Sequence, residues 1–544
     1  MSKEKQPLTQ QEQLVQGTAW LTAGNFISRL LGALYIIPWY AWMGQYAPQA
    51  NALFGMGYEI YALFLLISTV GIPIAVAKQI AKYNTLDQMD LSFYLVRKVL
   101  QFMLILGLIF ATLMYGLAPL FSEMSGSGQE LIPVMRSLTL AVLVFPAMSV
   151  LRGFFQGFNK LYPSAVSQVA EQLIRVIWML LTAFFIMKMG SGDYVEAVTQ
   201  STFAAFIGML ASFAVLFYFL WREHLLTPLF TAQPTHLTVS TKDLLWETIK
   251  EAIPFIVMGS AIQIFRLIDQ VTYINAMSYF TDYSNEDLKV QFAYFASNPG
   301  KLTMIIVAVA SSISATSIPL LTESFIKKNR KETAGLVINN IVILMLFIFP
   351  AIIGAIVLAE PLYTVFYGQS DALSLGLFVA SLLQTVILSL YTVLSPILQA
   401  FFETRRSIMY FVYGLLVKIA LQLPFIYLFH AYGPIWSTAV GLLVPIVLSY
   451  YRIQNVTSFN RQLVMKQISL IQLLTLGMFL VIAPVTIALY LFFPPASRWS
   501  SLLYVVLVGS LGVAVYGYLA LKTRLLDKMI GKKAENLRQK MKIN

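Results

Sequence analysis

Long apolar runs separated by short polar turns repeat from one end of this chain to the other. They fall at roughly 16–42, 51–81, 93–120, 131–156, 163–188, 194–221, 247–279, 288–320, 333–359, 371–401, 406–429, 433–457, 467–493 and 498–521. A helix rises about 1.5 Å per residue, so each run is long enough to cross the ~30 Å apolar core of a bilayer. The pattern predicts an all-α polytopic membrane protein of about fourteen transmembrane helices. The longest polar gap, 222–246, carries Arg222, Glu223, His224, Pro228, Pro234, His236, Lys242 and Asp243 and reads as a linker between two halves.

The halves echo each other in order. Leu151-Arg152-Gly153-Phe154-Phe155-Gln156 closes the fourth run and Leu398-Gln399-Ala400-Phe401-Phe402-Glu403 the tenth. Gly71-Ile72-Pro73 closes the second and Ser317-Ile318-Pro319 the eighth. Leu173-Ile174-Arg175-Val176 in the fifth matches Leu416-Val417-Lys418-Ile419 in the eleventh. Phe26-Ile27-Ser28-Arg29-Leu30 in the first matches Gln263-Ile264-Phe265-Arg266-Leu267 in the seventh. Six runs per half is an even number, so both halves enter the membrane from the same side. That is a parallel pseudo-twofold repeat of the transporter kind, with a site expected between the lobes. The layout expected is an N-lobe (1–222), a cytoplasmic linker (223–246), a C-lobe (247–458), two extra helices (459–522) and a basic tail (523–544).

Charge sharpens this picture. Most of the 37 Lys and Arg sit at the N-terminus, in alternate loops or in the tail; the others are Arg29, Arg136, Arg175, Lys188, Arg266, Lys289, Lys301, Lys418 and Arg498. That bias is the positive-inside signature and predicts a multi-pass protein with both termini cytoplasmic. The net charge of +12 is spread over short loops, which favours anionic lipid headgroups over nucleic acid as the partner. Only 11% of residues are charged against about one quarter in soluble chains, and 58% are hydrophobic. With no cysteine, thiolate chemistry and Cys metal sites are excluded, and the three histidines are too scattered for a metal cluster. No cofactor is expected. There is no G-x-x-x-x-G-K-[ST], hence no ATP engine. No catalytic set assembles on facing helices, so a transporter rather than an enzyme is expected.

Five cations, Arg29, Arg175, Arg266, Lys301 and Lys418, lie deep in apolar runs, where a charge is costly and marks a functional site. Three carboxylates are candidate partners or ion-coupling groups: Glu59 against Arg29, Glu171 four residues before Arg175, and Asp269 three after Arg266. The surplus is positive. Arginine grips phosphate bidentately and lysine acts as a point charge, so a diphosphate is a natural counter-ion. Asn298-Pro299-Gly300, just before Lys301, offers Pro299 and Gly300 as a hinge, with a static kink as the alternative.

Asn25-Phe26-Ile27-Ser28-Arg29-Leu30-Leu31-Gly32-Ala33-Leu34-Tyr35-Ile36-Ile37-Pro38 resembles the first-span signature of the SpoVB/YtgP branch of the MOP exporter superfamily, which includes the Gram-positive MurJ-type lipid II flippases. The resemblance implies a flippase of the bacterial plasma membrane. It would move undecaprenyl-diphosphate-linked peptidoglycan precursor (lipid II) from inner to outer leaflet by alternating access of two lobes around a cationic cavity. It implies a polyprenyl-tail groove on the last two spans, a lipid-linked glycan and membrane lipids as partners, and cell-wall synthesis proteins beside them. Arg29 matches the essential arginine of the Ser-Arg-x-x-Gly stretch. The Gram-negative branch has a second arginine six residues on, where this chain has Tyr35; Lys301 lies near the family's span-8 arginine. The alternatives are a flippase for another lipid-linked polysaccharide of Wzx or teichoic type, and a MATE-like drug/cation antiporter. The antiporter would want an acidic cavity.

Overall fold

The structure, a computed structural model, describes residues 27–28, 30–69, 72–85, 88–158, 160–232, 241–526 and 532–540. No strand occurs among them. The helices are α1 (Ile36–Met43), α2 (Ala47–Thr69), α3 (Ile72–Thr85), α4 (Met89–Met124), α5 (Leu131–Gly157), α6 (Leu161–Phe184), α7 (Tyr194–Arg222), α8 (Leu226–Thr231), α9 (Thr241–Phe280), α10 (Asn285–Phe292), α11 (Asn298–Ile326), α12 (Arg330–Val357), α13 (Ala359–Tyr367), α14 (Ala372–Ala400), α15 (Thr404–Phe429), α16 (Gly433–Thr457), α17 (Arg461–Phe492), α18 (Arg498–Lys522) and α19 (Lys532–Lys540).

Among the described residues, eleven stretches are long and apolar enough to cross a membrane. The count differs from the fourteen runs for a physical reason. Leu30–Thr69 and Thr404–Thr457 each continue through a 3-10 turn that joins two helices, and the 40-residue α9 stands outside the eleven. Helices begin where the chain offers polar caps. Asp193 Oδ1 accepts from Val195 N at 2.8 Å, and Asp371 with Ser374, and Ser497 with Ser500, form reciprocal capping boxes.

The chain divides into two compact units, Met1–Asn275 and Ala276–Asn544. The boundary lies near the end of α9, so most of that helix goes with the first unit; of the expected linker, 233–240 lies outside the described residues. Within the first unit α6 pairs with α7 and α4 with α5; within the second α15 pairs with α16 and α11 with α14. Glycines make the two lateral pairs close. A Cβ on Gly208 of α7 would stand 2.6 Å from Glu171 O on α6, and one on Gly414 of α15 would overlap Gly441 O on α16. In the second unit α17 packs on α12 and on α18, and Leu358, Met478, Ile482, Tyr504 and Val508 form their buried core. The opposite sides of α17 and α18 expose Leu473, Leu480, Ile487, Leu503 and Val506.

Candidate functional site

In the first unit, arginines from two helices meet one carboxylate. Glu171 and Arg175 share a face of α6 because they are one turn apart, and Arg175 Nη2 donates to Glu171 Oε1 at 2.5 Å. The other carboxylate oxygen accepts from Arg152 Nη2 of α5 at 2.7 Å. Arg152 is held further by Ser167 Oγ (3.1 Å) and by Ser212 Oγ of α7 (2.9 Å). The side chains of Arg152 and Glu171 are 11% exposed and that of Arg175 17%. The array carries two guanidinium groups on one carboxylate, a net positive charge in a largely buried position.

Aromatic side chains bracket this array. Tyr35, Tyr58 and Tyr61 lie close enough to Arg175 to interact with its charge. Phe54 packs against Tyr58 (centroids 4.5 Å) and Tyr35 (6.4 Å). Among these tyrosines, Tyr35 precedes α1, and the charge it feels is that of Arg175 on α6. Arg175 Nε and Trp178 Nε1 are buried without a hydrogen-bond partner. Each is a buried donor, and a donor in that position seeks an acceptor.

A second ion pair in this unit joins elements far apart in sequence. Arg266 Nη1 of α9 meets Glu59 Oε1 of α2 at 3.1 Å, and Gln263 Nε2, one turn earlier, donates to Glu59 O at 2.7 Å and also to the carboxylate. Glu59, expected opposite Arg29, is thus taken by Arg266; Arg29 itself lies outside the described residues. Asp269 is half-buried on the same helix.

The two second-unit cations differ in surroundings. Lys418 of α15 is wholly enclosed. Its ammonium donates to Ser437 Oγ (3.1 Å), Thr438 Oγ1 (2.6 Å) and Pro434 O (3.4 Å), all on α16. In this conformation it fastens two helices of one unit and offers no open surface to a headgroup. Lys301 is half-buried in the first turn of α11. Pro299 also sits in that first turn, where the amide it lacks would have no helical partner. The irregularity precedes it, as a π-helical turn at Ala293–Ser297, and Asn298 Nδ2 donates to Tyr363 OH at 2.8 Å. That anchor pins the start of α11. A Cβ on Gly300 would meet nothing within 4 Å.

Arg152 was missed as a buried cation because its place at the end of an apolar run counted it with the basic loops. The signal was present in the repeat: position 152 matches Gln399, so a cation there is peculiar to the first half. Two other cations outside the basic loops are satisfied locally. Arg136 lies 4.5 Å over the Tyr115 ring, and Lys289 Nζ meets Glu286 Oε1 at 2.9 Å. Among the described residues no group of three or more His, Cys, Asp or Glu is arranged to hold a metal.

Comparison with known proteins places this arrangement. The family described as "Polysaccharide biosynthesis protein" matches residues 14–325. Lipid II flippase MurJ of Bacillus subtilis (strain 168) is 33% identical over 538 residues, 96% of this chain and 97% of that one. A solved structure titled as lipid II flippase MurJ in an inward closed conformation superposes with a TM-score of 0.65, covering 94% of this chain and 99% of that chain at 14% identity. An inward-facing multidrug resistance MATE family transporter of the MOP superfamily gives 0.58, covering 80% and 99% at 16% identity. At such identities the solved structures speak for the fold, which is that of the MOP superfamily.

Proposed function

The chain belongs to the polysaccharide biosynthesis protein family, and from that premise we propose that it is a flippase for a lipid-linked glycan, the peptidoglycan precursor lipid II. The observation that carries this reading is the buried array Arg152–Glu171–Arg175, whose charge surplus is positive and whose leftover donors suit phosphate oxygens. A diphosphate is the charged part common to undecaprenyl-linked substrates. Arg29, Arg266 and Lys301 are proposed to share in headgroup binding. Glu59, Glu171 and Asp269 adjust the local charge, and the exposed apolar sides of α17 and α18 hold the polyprenyl tail. Both termini face the cytoplasm in this reading, and the substrate crosses by alternating access. The protein is a transporter, not an enzyme. A drug/cation antiporter on the same fold would need a net negative cavity, which the first-unit array does not supply.

Depletion of the protein in a Gram-positive host tests the proposal. Lipid II should accumulate, and accumulate in the inner leaflet. Accumulation of a different undecaprenyl-linked glycan with normal lipid II turnover would reassign the substrate, and no precursor accumulating at all would overturn the flippase reading.

A further inference from the structure

The second unit has a cavity lined by both basic and apolar side chains. It measures about 610 Å³ and lies where the end of α11, the start of α12, the turn before α15 and the end of α16 meet. Lys328, Arg330 and Thr333 line it together with Phe325, Phe402 and Thr457. We propose that this cavity binds the headgroup of an anionic phospholipid from the leaflet it faces, independently of the substrate carried.

Charge is the first argument. Lys328 and Arg330 belong to the run Lys327-Lys328-Asn329-Arg330-Lys331, and both are exposed. The neighbouring carboxylates are already engaged. Glu323 is held by Lys327 at 2.5 Å, and Glu332 Oε2 accepts from Asn329 Nδ2 at 2.8 Å. Among the described residues neither Lys328 nor Arg330 has a carboxylate within ion-pairing distance. A basic pocket at the end of membrane helices is the arrangement that recognises acidic lipid headgroups.

The apolar surroundings are the second argument. Ile326 is 62% and Phe402 68% exposed, and both line the cavity. Bare to water they are a liability; beside acyl chains they are an asset. Lys328 (φ +55°) and Phe402 (φ +60°) both hold left-handed backbone, the conformation in which helices commonly end, and so turn the chain just after α11 and α14. Phe325, one of the lining residues, packs tilted against Phe401 with centroids 4.9 Å apart.

The corresponding end of the first unit is closed. There α8 folds against α4 and α7, Leu229 is buried, and Arg97 of α4 donates to Ala232 O at 3.1 Å and to Phe230 O. Among the described residues the second unit has no such segment there: α16 ends at Thr457 and α17 begins at Arg461. The chain's own tail is a poor substitute, because Lys532, Lys533, Arg538 and Lys540 would repel the cations of the cavity.

The test uses the full chain, which contains no cysteine. Ile326→Cys, labelled with an environment-sensitive fluorophore, is titrated in detergent with short-chain phosphatidylglycerol, short-chain phosphatidylcholine or inorganic phosphate. Phosphatidylglycerol should give a saturable change and the other two none. Lys328→Gln with Arg330→Gln should weaken the response at least about tenfold, and Lys328→Arg with Arg330→Lys should restore it. Arg538→Gln in the tail should leave it unchanged. The proposal falls if phosphatidylcholine matches phosphatidylglycerol, if the double glutamine variant, still folded by its melting temperature, binds as before, or if phosphate alone reproduces the response.

Discussion

At the level of single residues, one carboxylate in the first unit is held by two arginines. Glu171 cannot neutralise both Arg152 and Arg175, and each guanidinium keeps donors for another anion. Arg152→Gln is expected to abolish rescue of a depleted strain while the protein still reaches the membrane; normal growth would mean the array is scaffolding only. Glu171→Gln leaves two buried guanidinium groups without their anion, a change that costs about 3–5 kcal/mol and should appear as a marked fall in melting temperature in detergent. The repeat-related pair Arg175 and Lys418 should behave differently despite their matched positions. A cysteine at 175 is expected to react with a small water-soluble thiol reagent and one at 418 to be protected, because Lys418 is sealed between α15 and α16. Equal labelling of both would show that the second unit opens there.

Helix pairs set what is tolerated at the level of elements. A Cβ at Gly414 runs into Gly441 O and stands 2.7 Å from Pro445 Cδ, whereas Gly300 has open space around it. Gly414→Ala should therefore destabilise by about 1–3 kcal/mol, and Gly300→Ala should leave the melting temperature unchanged. A matching loss at both positions would contradict the close α15–α16 approach. The turn before α15 is tied to the end of α16 by Glu403, whose Oε2 accepts from Arg452 Nε at 2.7 Å and whose other oxygen also meets Arg452. Hydrogen bonding to Arg452 holds the Glu403 carboxyl below the usual carboxylate range. A carboxylate whose pKa is lower folded than unfolded adds stability above its unfolded value and loses it as pH falls through the folded one. Glu403→Gln should therefore lower the melting temperature at neutral pH, and the difference should vanish in acid. A gap that persisted in acid would assign the effect to packing.

At the scale of the whole molecule, transport is predicted to be driven by an electrochemical gradient or by removal of product rather than by ATP hydrolysis. In sealed vesicles, flipping should continue without ATP and respond to ionophores that collapse the membrane potential. A strict need for ATP, with no response to ionophores, would require a separate ATPase. The fold is shared with a MATE family transporter, and one fold can host several functions, so the sign of charge in the buried array carries more functional information than the topology.

Sequence alone determined the all-α membrane class, because apolar runs long enough to cross a bilayer leave the backbone no other way to satisfy its hydrogen bonds. It also determined pairs within a helix: Glu171 and Arg175 meet because four residues make about one turn. Tertiary structure decided the partners that lie far apart in the chain. That Arg152 shares Glu171, that Glu59 takes Arg266, that Lys418 is enclosed, and that the first compact unit runs to Asn275 all depend on which helices press together and how closely. Those distances are set by glycines and interlocking side chains on separate helices, and apolar helices resemble one another too closely in sequence for periodicity to choose among neighbours.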